Sequence, residues 1–402
     1  MSTASNDWLP HKLDQLGFVG RGKSRHRPRN ASHLYGGPYP FFQTGDIKAA
    51  GFHLTEYTQT YSEDGLAQSK LWEPGTLCIT IAANIAENAI LGVKGCFPDS
   101  VVGFIPDPMK ADVRFVKYYM DTLKLQMQSI SRGTTQDNLS VDKLLTFDFL
   151  TPPIPVQQRI ASILSAYDEL IENSQRRIKI LESIARGLYR EWFVHFRFPG
   201  HENHPRVASV LGEIPQGWEV KKLGDIAENF DRMRKPLSKM ERSQLQGEYP
   251  YYGAAKVFDY VNDYIFDGEY LLFAEDGSVI TPERAPVLQL VKEKFWPNNH
   301  THVLRGLPPF STHFLYLGLS EVDISPYITG AAQPKITQEN MNRIPFFCGP
   351  ARLHLEFNRL VEPMIRQSHI LQRQIQNLRR TRDLLLPRLL SSQIALDELE
   401  AA

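Results

Sequence analysis

Residues Val156–Phe193 have the sequence VQQRIASILSAYDELIENSQRRIKILESIARGLYREWF, with no proline and a single glycine, Gly187. Apolar or small residues recur in this stretch in alternating steps of four and three, at Tyr167, Ile171, Ser174, Ile178, Leu181, Ala185, Leu188 and Trp192. This spacing is typical of a heptad seam, which is narrower than the apolar stripe of an ordinary surface helix. At about 1.5 Å per residue the helix would be roughly 57 Å long, so one small domain could not cover it. The seam therefore needs a second helix as its partner.

A second long helix in the same register is predicted over Leu353–Leu390. Moving 197 residues along the chain from each seam position gives Met364, Ser368, Leu371, Ile375, Leu378, Arg382, Leu385 and Leu389. Ser368 and Arg382 are polar at seam positions, which predicts that the pair loosens there. Pro363 suits a first helical turn and predicts that the helix begins one residue before it. Pro387 is expected to kink or end the helix.

The repeat extends beyond the helices. Gly133–Val141 aligns with Gly330–Gln338 at the same offset, and Asp7–Leu13 aligns with Gly217–Leu223 at an offset of 210. A period near 200 residues indicates a duplicated domain and not a solenoid. The predicted parts are a globular region at 1–151, a long helix at 152–196, a linker at 197–211, a second globular region at 212–348, and a second long helix with a tail at 349–402.

Each globular region is predicted to be α+β, with a mainly antiparallel sheet and flanking helices. Thr76–Ile81 and Ser100–Ile105 are bounded by turn signals and predict strands, and Val113–Ile130 predicts a helix. In the second half, Tyr264–Ala274 and Phe295–Leu304 occupy the places of those strands. The two long helices are expected to pair as an antiparallel coiled coil, because a parallel pair would crowd both globular regions at one end.

Composition excludes several classes of protein. The 402 residues are 42% hydrophobic and 22% charged with a net charge of zero, which is ordinary for a globular protein and argues against wholesale coating by nucleic acid. The three cysteines have no close spacing. His201-x-x-His204 lies in the predicted linker, and His300-x-His302 stands without cysteine or carboxylate company, so no metal site is predicted. There is no long apolar run or signal sequence, which predicts a cytoplasmic protein with no membrane partner.

Gly17–Ser24 matches the phosphate-loop pattern G-x-x-x-x-G-K-S, so nucleotide binding through Lys23 and Ser24 is one alternative. The pattern works only when a buried strand precedes it and a helix follows. Here the preceding residues are polar, and Pro28 comes soon after Ser24, which disfavours that context.

Basic residues cluster at matching places in the two halves, and this pattern favours two phosphate-binding edges. The first cluster is Arg21, Lys23, Arg25, Arg27 and Arg29, and the second is Arg232, Arg234 and Lys235. A solvated loop is the simpler interpretation of either cluster alone.

Two loops of small residues each contain a glutamine, in Gly133-Thr-Thr-Gln136 and Gly330-Ala-Ala-Gln333. Such a loop can approach a groove closely, and an amide can bind an adenine edge through two hydrogen bonds. A tight turn capped by the glutamine is equally consistent with the pattern. The same loops carry Asn138 and Lys335, which we include in the candidate DNA-binding set. No base-methyltransferase motif and no paired catalytic residues are present.

Together these features resemble the specificity subunit of type I restriction–modification systems. The resemblance covers the duplicated plan and a set of stretches in this order: Pro153-Ile-Pro-Val-Gln-Gln-Arg-Ile160, Leu170-Ile-Glu-Asn173, Trp192-Phe-Val-His-Phe-Arg-Phe-Pro199, Gly212-Glu-Ile-Pro-Gln-Gly-Trp-Glu-Val220 and Asp276-Gly-Ser-Val-Ile280. The first half departs from the last of these, with Ala82-Ala-Asn84 in its place.

The resemblance implies a non-catalytic DNA-reading subunit. Each globular region would be a target recognition domain for one half of a split double-stranded DNA target, and the helix pair would fix the gap between the halves. Two modification subunits would dock on the chain and carry S-adenosylmethionine, which this chain itself does not bind. Restriction subunits, the ATP-dependent translocase and nuclease, would join through them. A coiled-coil adaptor that binds no DNA is the remaining alternative.

Overall fold

The structure is a computed structural model that describes residues 8–26, 28–131, 139–330 and 333–391. The chain divides into two compact units. The first comprises the described residues up to Arg176 and from Gln372 onward, and the second comprises Arg177–Leu371. Each unit therefore contains part of both long helices. Within the described ranges, no helix is long and apolar enough to cross a membrane.

The first globular region combines short strands with short helices. Its strands are β1 (Leu9–His11), β2 (Gly17–Arg21), β3 (Tyr35–Phe41), β4 (His53–Leu54), β5 (Gln59–Tyr61), β6 (Leu71–Trp72), β7 (Leu77–Thr80), β8 (Asn88–Leu91), β9 (Gly95–Cys96), β10 (Val101–Pro106) and β11 (Phe149–Thr151). Its helices are α1 (Leu13–Leu16), α2 (Thr44–Ala49), α3 (Glu63–Ala67), α4 (Val113–Ser131) and α5 (Val141–Leu144), with a 3-10 turn at Ser32–Leu34.

These strands form a five-stranded sheet in the order β2-β10-β7-β8-β4, a four-stranded sheet in the order β5-β3-β9-β6, and a pair of β1 with β11. The neighbours are antiparallel apart from β3–β9 and β4–β8 among the strands described. Every residue of β7 is buried, and α4 packs against the same sheet through the buried residues Phe115 and Tyr118. The predicted strands at 76–81 and 100–105 and the predicted helix at 113–130 are thus confirmed as β7, β10 and α4.

The first long helix is α6 (Ile154–Tyr189), which continues into a π-helical turn at Arg190–Val194. The second globular region follows it with β12 (Arg206–Ser209), β13 (Gly212–Pro215), β14 (Glu219–Lys222), β15 (Ala227–Asn229), β16 (Gln246–Tyr252), β17 (Val257–Val261), β18 (Phe266–Ala274), β19 (Leu288–Pro297), β20 (Thr301–Gly306) and β21 (Pro345–Cys348). Its helices are α7 (Leu223–Ile226), α8 (Lys239–Gln244), α9 (Thr312–Leu319) and α10 (Gln338–Asn342), with 3-10 turns at Asp231–Met233 and Ser325–Tyr327. The second long helix is α11 (Ala351–Leu390).

The second region repeats the topology of the first. Its main sheet has the order β15-β20-β18-β19-β16-β17, in which β19 takes the places of both β8 and β9. The prediction of one strand over Phe295–Leu304 is wrong, because a turn at 298–300 separates the end of β19 from the start of β20. Pro297-Asn298-Asn299 is a turn signal between two β-rich segments, and the Asn298 side chain accepts a hydrogen bond from the His300 backbone at 2.8 Å.

The second long helix is longer than its prolines predict. α11 begins at Ala351, so the predicted start near Pro363 is wrong, and it continues through Pro387 to Leu390. Both prolines are exposed, whereas Val361 and Ile365 on either side of Pro363 are buried. An interior proline costs about 3 kcal/mol. At Pro363 the burial of Val361 and Ile365 offsets this cost.

The two long helices run antiparallel within each unit, as predicted. Later residues of the first helix meet earlier residues of the second, in the pairs Asp168 with Arg382 in the first unit, and Tyr189 with Phe357 and Phe193 with His354 in the second. The predicted seam residues fall into two groups. Half of them are buried (Ile171, Ser174, Ala185, Trp192, Ser368, Leu371, Ile375 and Leu389) and the other half are half-buried (Tyr167, Ile178, Leu181, Leu188, Met364, Leu378, Arg382 and Leu385).

The polar seam residues do not loosen the pair, in contrast to the expectation from the sequence. Arg382 forms an ion pair with Asp168, whose side chain is only 6% exposed. Asp168 also accepts a 2.5 Å hydrogen bond from the hydroxyl of Tyr118 in α4. Ser368 is buried and donates to the carbonyl of Met364, one turn earlier in α11. Asp168, and not its neighbour Tyr167, therefore occupies the seam in the first unit.

Candidate nucleic-acid interface

The stretch Gly17–Ser24 does not form a phosphate loop. Gly17–Arg21 is itself the strand β2, paired antiparallel with β10, and residues 22–26 have no regular secondary structure. The backbone N–H groups of Gly22 and Lys23 donate hydrogen bonds to the carbonyls of Val101 and Phe97, at 2.9 and 3.1 Å respectively. A phosphate loop needs such groups free and a helix directly after them. The nucleotide-binding alternative therefore has no structural support.

The basic cluster of the first region lies along β2, the segment that follows it and the turn at residues 28–30. The guanidinium of Arg29 forms two 3.0 Å hydrogen bonds with the Asp99 carboxylate, and Arg21 donates to the Asp99 carbonyl at 3.0 Å. Lys23 and Arg25 are exposed, and Arg27 lies outside the described residues. The backbone N–H of His26 donates to the Gln68 side chain, which holds the segment in place. Lys23 and Arg25 are thus presented from a fixed backbone.

A cleft of about 290 Å³ opens beside Arg29. Polar and aromatic side chains line it, among them Asn30, Tyr35, Gln43 and Gln59. The Gln43 amide donates to the Gln59 amide oxygen at 2.6 Å, which leaves an oxygen on Gln43 and an NH₂ on Gln59 at the two ends of the pair. An acceptor and a donor of this kind can each form a hydrogen bond with a base edge. No sequence signal indicates this pair, because the two glutamines lie on separate elements and belong to no motif.

The glutamine loop of the first region falls in the gap between residues 131 and 139, so Gln136 and Asn138 lie outside the described residues. The residue that follows the gap, Leu139, donates its backbone N–H to the carbonyl of Ile81 at 2.9 Å. The corresponding bond in the second region joins the N–H of Ile336 to the carbonyl of Glu275 at 2.9 Å. The two loops therefore end in the same way, next to the ends of β7 and β18.

The second basic loop (residues 230–235) follows β15. Arg234 is only 14% exposed, and its guanidinium donates to Glu275 at 2.8 Å and to the carbonyl of Thr301 at 2.8 Å. These contacts hold the side chain inside the domain, so we leave Arg234 out of the DNA-facing set. Arg232 and Lys235 on the same loop are exposed.

The glutamine loop of the second region (the Gln333 loop, described at 329–330 and 333–336) has a tight backbone. Thr329 and Lys335 exchange two backbone hydrogen bonds of 2.8 Å. Gly330 has a φ of +86°, and a Cβ there would lie 2.4 Å from the carbonyl oxygen of Gln333, so glycine is required. The Gln333 side chain is exposed. The Lys335 ammonium forms a 3.0 Å ion pair with Glu275.

Glu275 therefore joins two segments that the sequence predicted separately, the second basic loop through Arg234 and the Gln333 loop through Lys335. Burial alone would raise the pKa of the Glu275 carboxyl, but hydrogen bonds from Arg234 and Lys335 hold it below its ordinary value. Burial likewise opposes the charged form of Asp231, yet His302, the Val303 backbone and Arg234 keep the pKa of its carboxyl low. We call the set Asp231, Arg234, Glu275, His302 and Lys335 the polar network.

Three members of the polar network, Asp231, Glu275 and His302, offer ligand atoms within 4.8 Å of one another, as a metal site would. The expectation that the histidines of His300-x-His302 lack carboxylate company is wrong, since His302 also faces Asp231 at 2.5 Å and His300 faces Asp276 at 2.6 Å. Arg234 and Lys335 already bring positive charge to the same carboxylates. We therefore interpret the network as ion pairs that shape a loop surface.

The polar network belongs to the second region alone. In the strand pairing, Val102 faces Ile79 in the first region where His302 faces Phe273 in the second. Ile81 likewise stands in the place of Glu275. Both of these positions are apolar in the first region, so the described residues there have no counterpart of His302 or of the Glu275 carboxylate.

Comparison with known proteins agrees with this two-domain arrangement. The model of the type I restriction modification DNA specificity domain matches residues 5–183 and 215–347. The type I restriction enzyme MjaIX specificity subunit of Methanocaldococcus jannaschii is 25% identical over 414 residues, which cover 98% of this chain and 95% of that protein. The type I restriction enzyme EcoprrI specificity subunit of Escherichia coli is 22% identical over 359 residues, which cover 85% and 83%.

A solved structure shows the same fold. The type I restriction-modification system S subunit from M. genitalium superposes with a TM-score of 0.64 at 16% identity, over 97% of this chain and 98% of that one. The family match covers most of both halves. The chain therefore belongs to the type I restriction modification DNA specificity family, with one specificity domain in each half.

Proposed function

We propose that this chain reads double-stranded DNA as the specificity subunit of a type I restriction–modification complex. Each globular region contacts one half of a bipartite target, and the long helix pair sets the number of base pairs between the halves. The observation that carries this proposal is the polar network. It brings the second basic loop and the Gln333 loop together and leaves Arg232, Lys235 and Gln333 exposed on them.

The chemistry of this surface suits DNA. Lysine and arginine side chains neutralise phosphates and fix the register of a protein on the duplex, whereas an amide reads the edge of a base. The first region offers the same combination, with Lys23 and Arg25 beside the Gln43–Gln59 cleft. Two unlike readers within one chain fit an asymmetric target in two parts.

The proposal extends to partners and to catalysis. The chain binds no cofactor and performs no reaction of its own. Two modification subunits dock on it and bring S-adenosylmethionine, and restriction subunits join through them. The name of the family and the names of the relatives support this assignment, since they describe specificity subunits of restriction enzymes.

Methylome sequencing of a host with and without this chain, in the presence of its modification subunit, tests the proposal. The expected result is methylation at one bipartite sequence that disappears without the chain. A methylation pattern that is unchanged, or a target without a gap, would contradict it. A Gln333→Ala variant is expected to weaken discrimination in one half-site by about 1–3 kcal/mol and to leave the other half unchanged.

A further inference from the structure

His302 lies at the centre of the polar network, with a side chain that is 2% exposed. Its Nδ1 is 2.5 Å from the Asp231 carboxylate, and its Nε2 is 3.0 Å from the backbone carbonyl oxygen of Ile336. Both partners are hydrogen-bond acceptors, and a neutral imidazole has only one N–H to donate. The geometry is satisfied when the ring carries a proton on each nitrogen.

The two bonds of this ring tie the two candidate DNA-binding loops to each other. Asp231 opens the second basic loop, and its other carboxylate oxygen accepts the backbone N–H of Val303 at 3.0 Å. Ile336 closes the Gln333 loop, and its own N–H donates to the Glu275 carbonyl. The Ile336 residue is thus held on both sides, by Glu275 through its N–H and by His302 through its carbonyl.

We propose that His302, as a doubly protonated ring, is a positioning residue for DNA reading by the second region. Its two hydrogen bonds hold the second basic loop and the Gln333 loop in one arrangement, and so place Arg232, Lys235 and Gln333 relative to one another. This inference rests on the proposed function. Because the first region has Val102 at the corresponding position, the effect is confined to one half of the target.

Two substitutions separate the two bonds of the ring. The amide nitrogen of asparagine reaches the place of Nδ1, so His302→Asn can still donate to Asp231 but not to the Ile336 carbonyl. The amide nitrogen of glutamine reaches the place of Nε2, so His302→Gln can still donate to Ile336. The polarity and the approximate volume of the side chain are kept in both variants, which makes each the control of the other.

The experiment measures the affinity of the complex with its modification subunits for duplexes that carry single base changes in either half-site. We expect His302→Asn to reduce discrimination in the second region's half by roughly tenfold, the effect of one lost hydrogen bond to a buried polar group. His302→Gln should stay within about threefold of the wild-type chain, because Asp231 keeps the Val303 backbone N–H and the Arg234 guanidinium as partners, whereas among the described residues the Ile336 carbonyl has only the ring. Discrimination in the other half should be unchanged in both variants, and this serves as an internal measure of folding.

The proposal is overturned if His302→Asn keeps wild-type discrimination, or if both halves lose discrimination equally. A second measurement observes the ring of His302 directly and needs no DNA-binding assay. In the wild-type chain labelled with ¹⁵N-histidine, the resonances assigned by their loss in His302→Gln should show a proton on each ring nitrogen. A ring with one bare nitrogen would refute the inference. If the wild-type complex discriminates in neither half-site, the proposed function fails, while the ring measurement still tests His302.

Discussion

Removing the Arg382 guanidinium from the helix pair should destabilise the first unit substantially. In an Arg382→Met variant the methionine fills much of the same space, but the Asp168 carboxylate stays 94% buried with only the Tyr118 hydroxyl as a donor. Breaking a buried ion pair by removing one partner costs about 3–5 kcal/mol. The Arg382 side chain is 25% exposed and also contacts Asp383 at 2.8 Å, so we expect a loss near the lower end, about 3 kcal/mol.

Neutralising the other partner of the ion pair should destabilise the first unit less. Asp168→Asn keeps an acceptor for the Tyr118 hydroxyl, and Arg382 can turn to Asp383 and to water, so the expected loss is about 1 kcal/mol. Replacing all three polar groups, with Tyr118→Phe, Asp168→Leu and Arg382→Met together, leaves no buried group without a partner. That variant should come within about 1 kcal/mol of the wild-type chain.

Hydrogen exchange detected by mass spectrometry can report these losses separately for the two units. Peptides from α4 monitor the first unit, and peptides from α9 in the second unit serve as the control, since the buried residues of α9 belong to a different hydrophobic cluster from Tyr118. The order of destabilisation should be Arg382→Met, then Asp168→Asn, then the triple variant. If Arg382→Met proved no worse than Asp168→Asn, the carboxylate would not be buried as described, and the reasoning would fail.

Two further predictions concern the first region. The Glu172 carboxylate of α6 accepts the ring N–H of His53 at 2.9 Å, and this contact raises the pKa of the ring above 6.5. Burial alone would raise the pKa of the Glu172 carboxyl, but the same contact holds that pKa below 4.5. The raised pKa of His53 contributes stability that is full below pH 6.5, and the lowered pKa of Glu172 contributes stability that is full above pH 4.5. The stability lost in Glu172→Gln should therefore be largest between these two values and shrink above pH 6.5. Urea unfolding across this pH range measures the loss, and a pH-independent loss would contradict the assignment. In the cleft, Gln59→Ala should lower discrimination in the first region's half-site by about 1–3 kcal/mol in duplex-binding assays. The control variant Gln126→Ala, on the exposed face of α4, should leave discrimination unchanged. Equal effects of the two variants would show that the cleft does not contact the bases.

The architecture could be predicted from the sequence because its main signals are local and repeated. The heptad steps around Ile171 and Leu371 depend only on helical geometry, and the two copies confirm each other at a constant offset. The strands β7 and β10 are apolar runs with turn residues at both ends. In contrast, two-residue strands such as β4, β6 and β9 have no pattern of their own, since their pairing depends on the strands beside them.

The candidate site was harder to predict for the same reason. The sequence indicated Arg234, Lys335 and Gln333 by charge and by the repeat, but it could not show that Arg234 and Lys335 share Glu275 as a partner. The carboxylates of the polar network come from a loop and a strand end that are remote in sequence from His302. One signal was available, because Ala82-Ala-Asn84 replaces Asp276-Gly-Ser in the first half next to the position of Glu275.

The ion pair between Asp168 and Arg382 also determines which helices can pair. The repeat places Ala185 at the position in the first helix that corresponds to Arg382, and Ile365 in the second helix at the position of Asp168; both are buried in the second unit. If two copies of the first helix from different chains paired antiparallel, each buried Asp168 would face an alanine. Two uncompensated carboxylates would oppose that assembly by several kcal/mol. The charge thus makes each helix select its duplicate and not a second copy of itself.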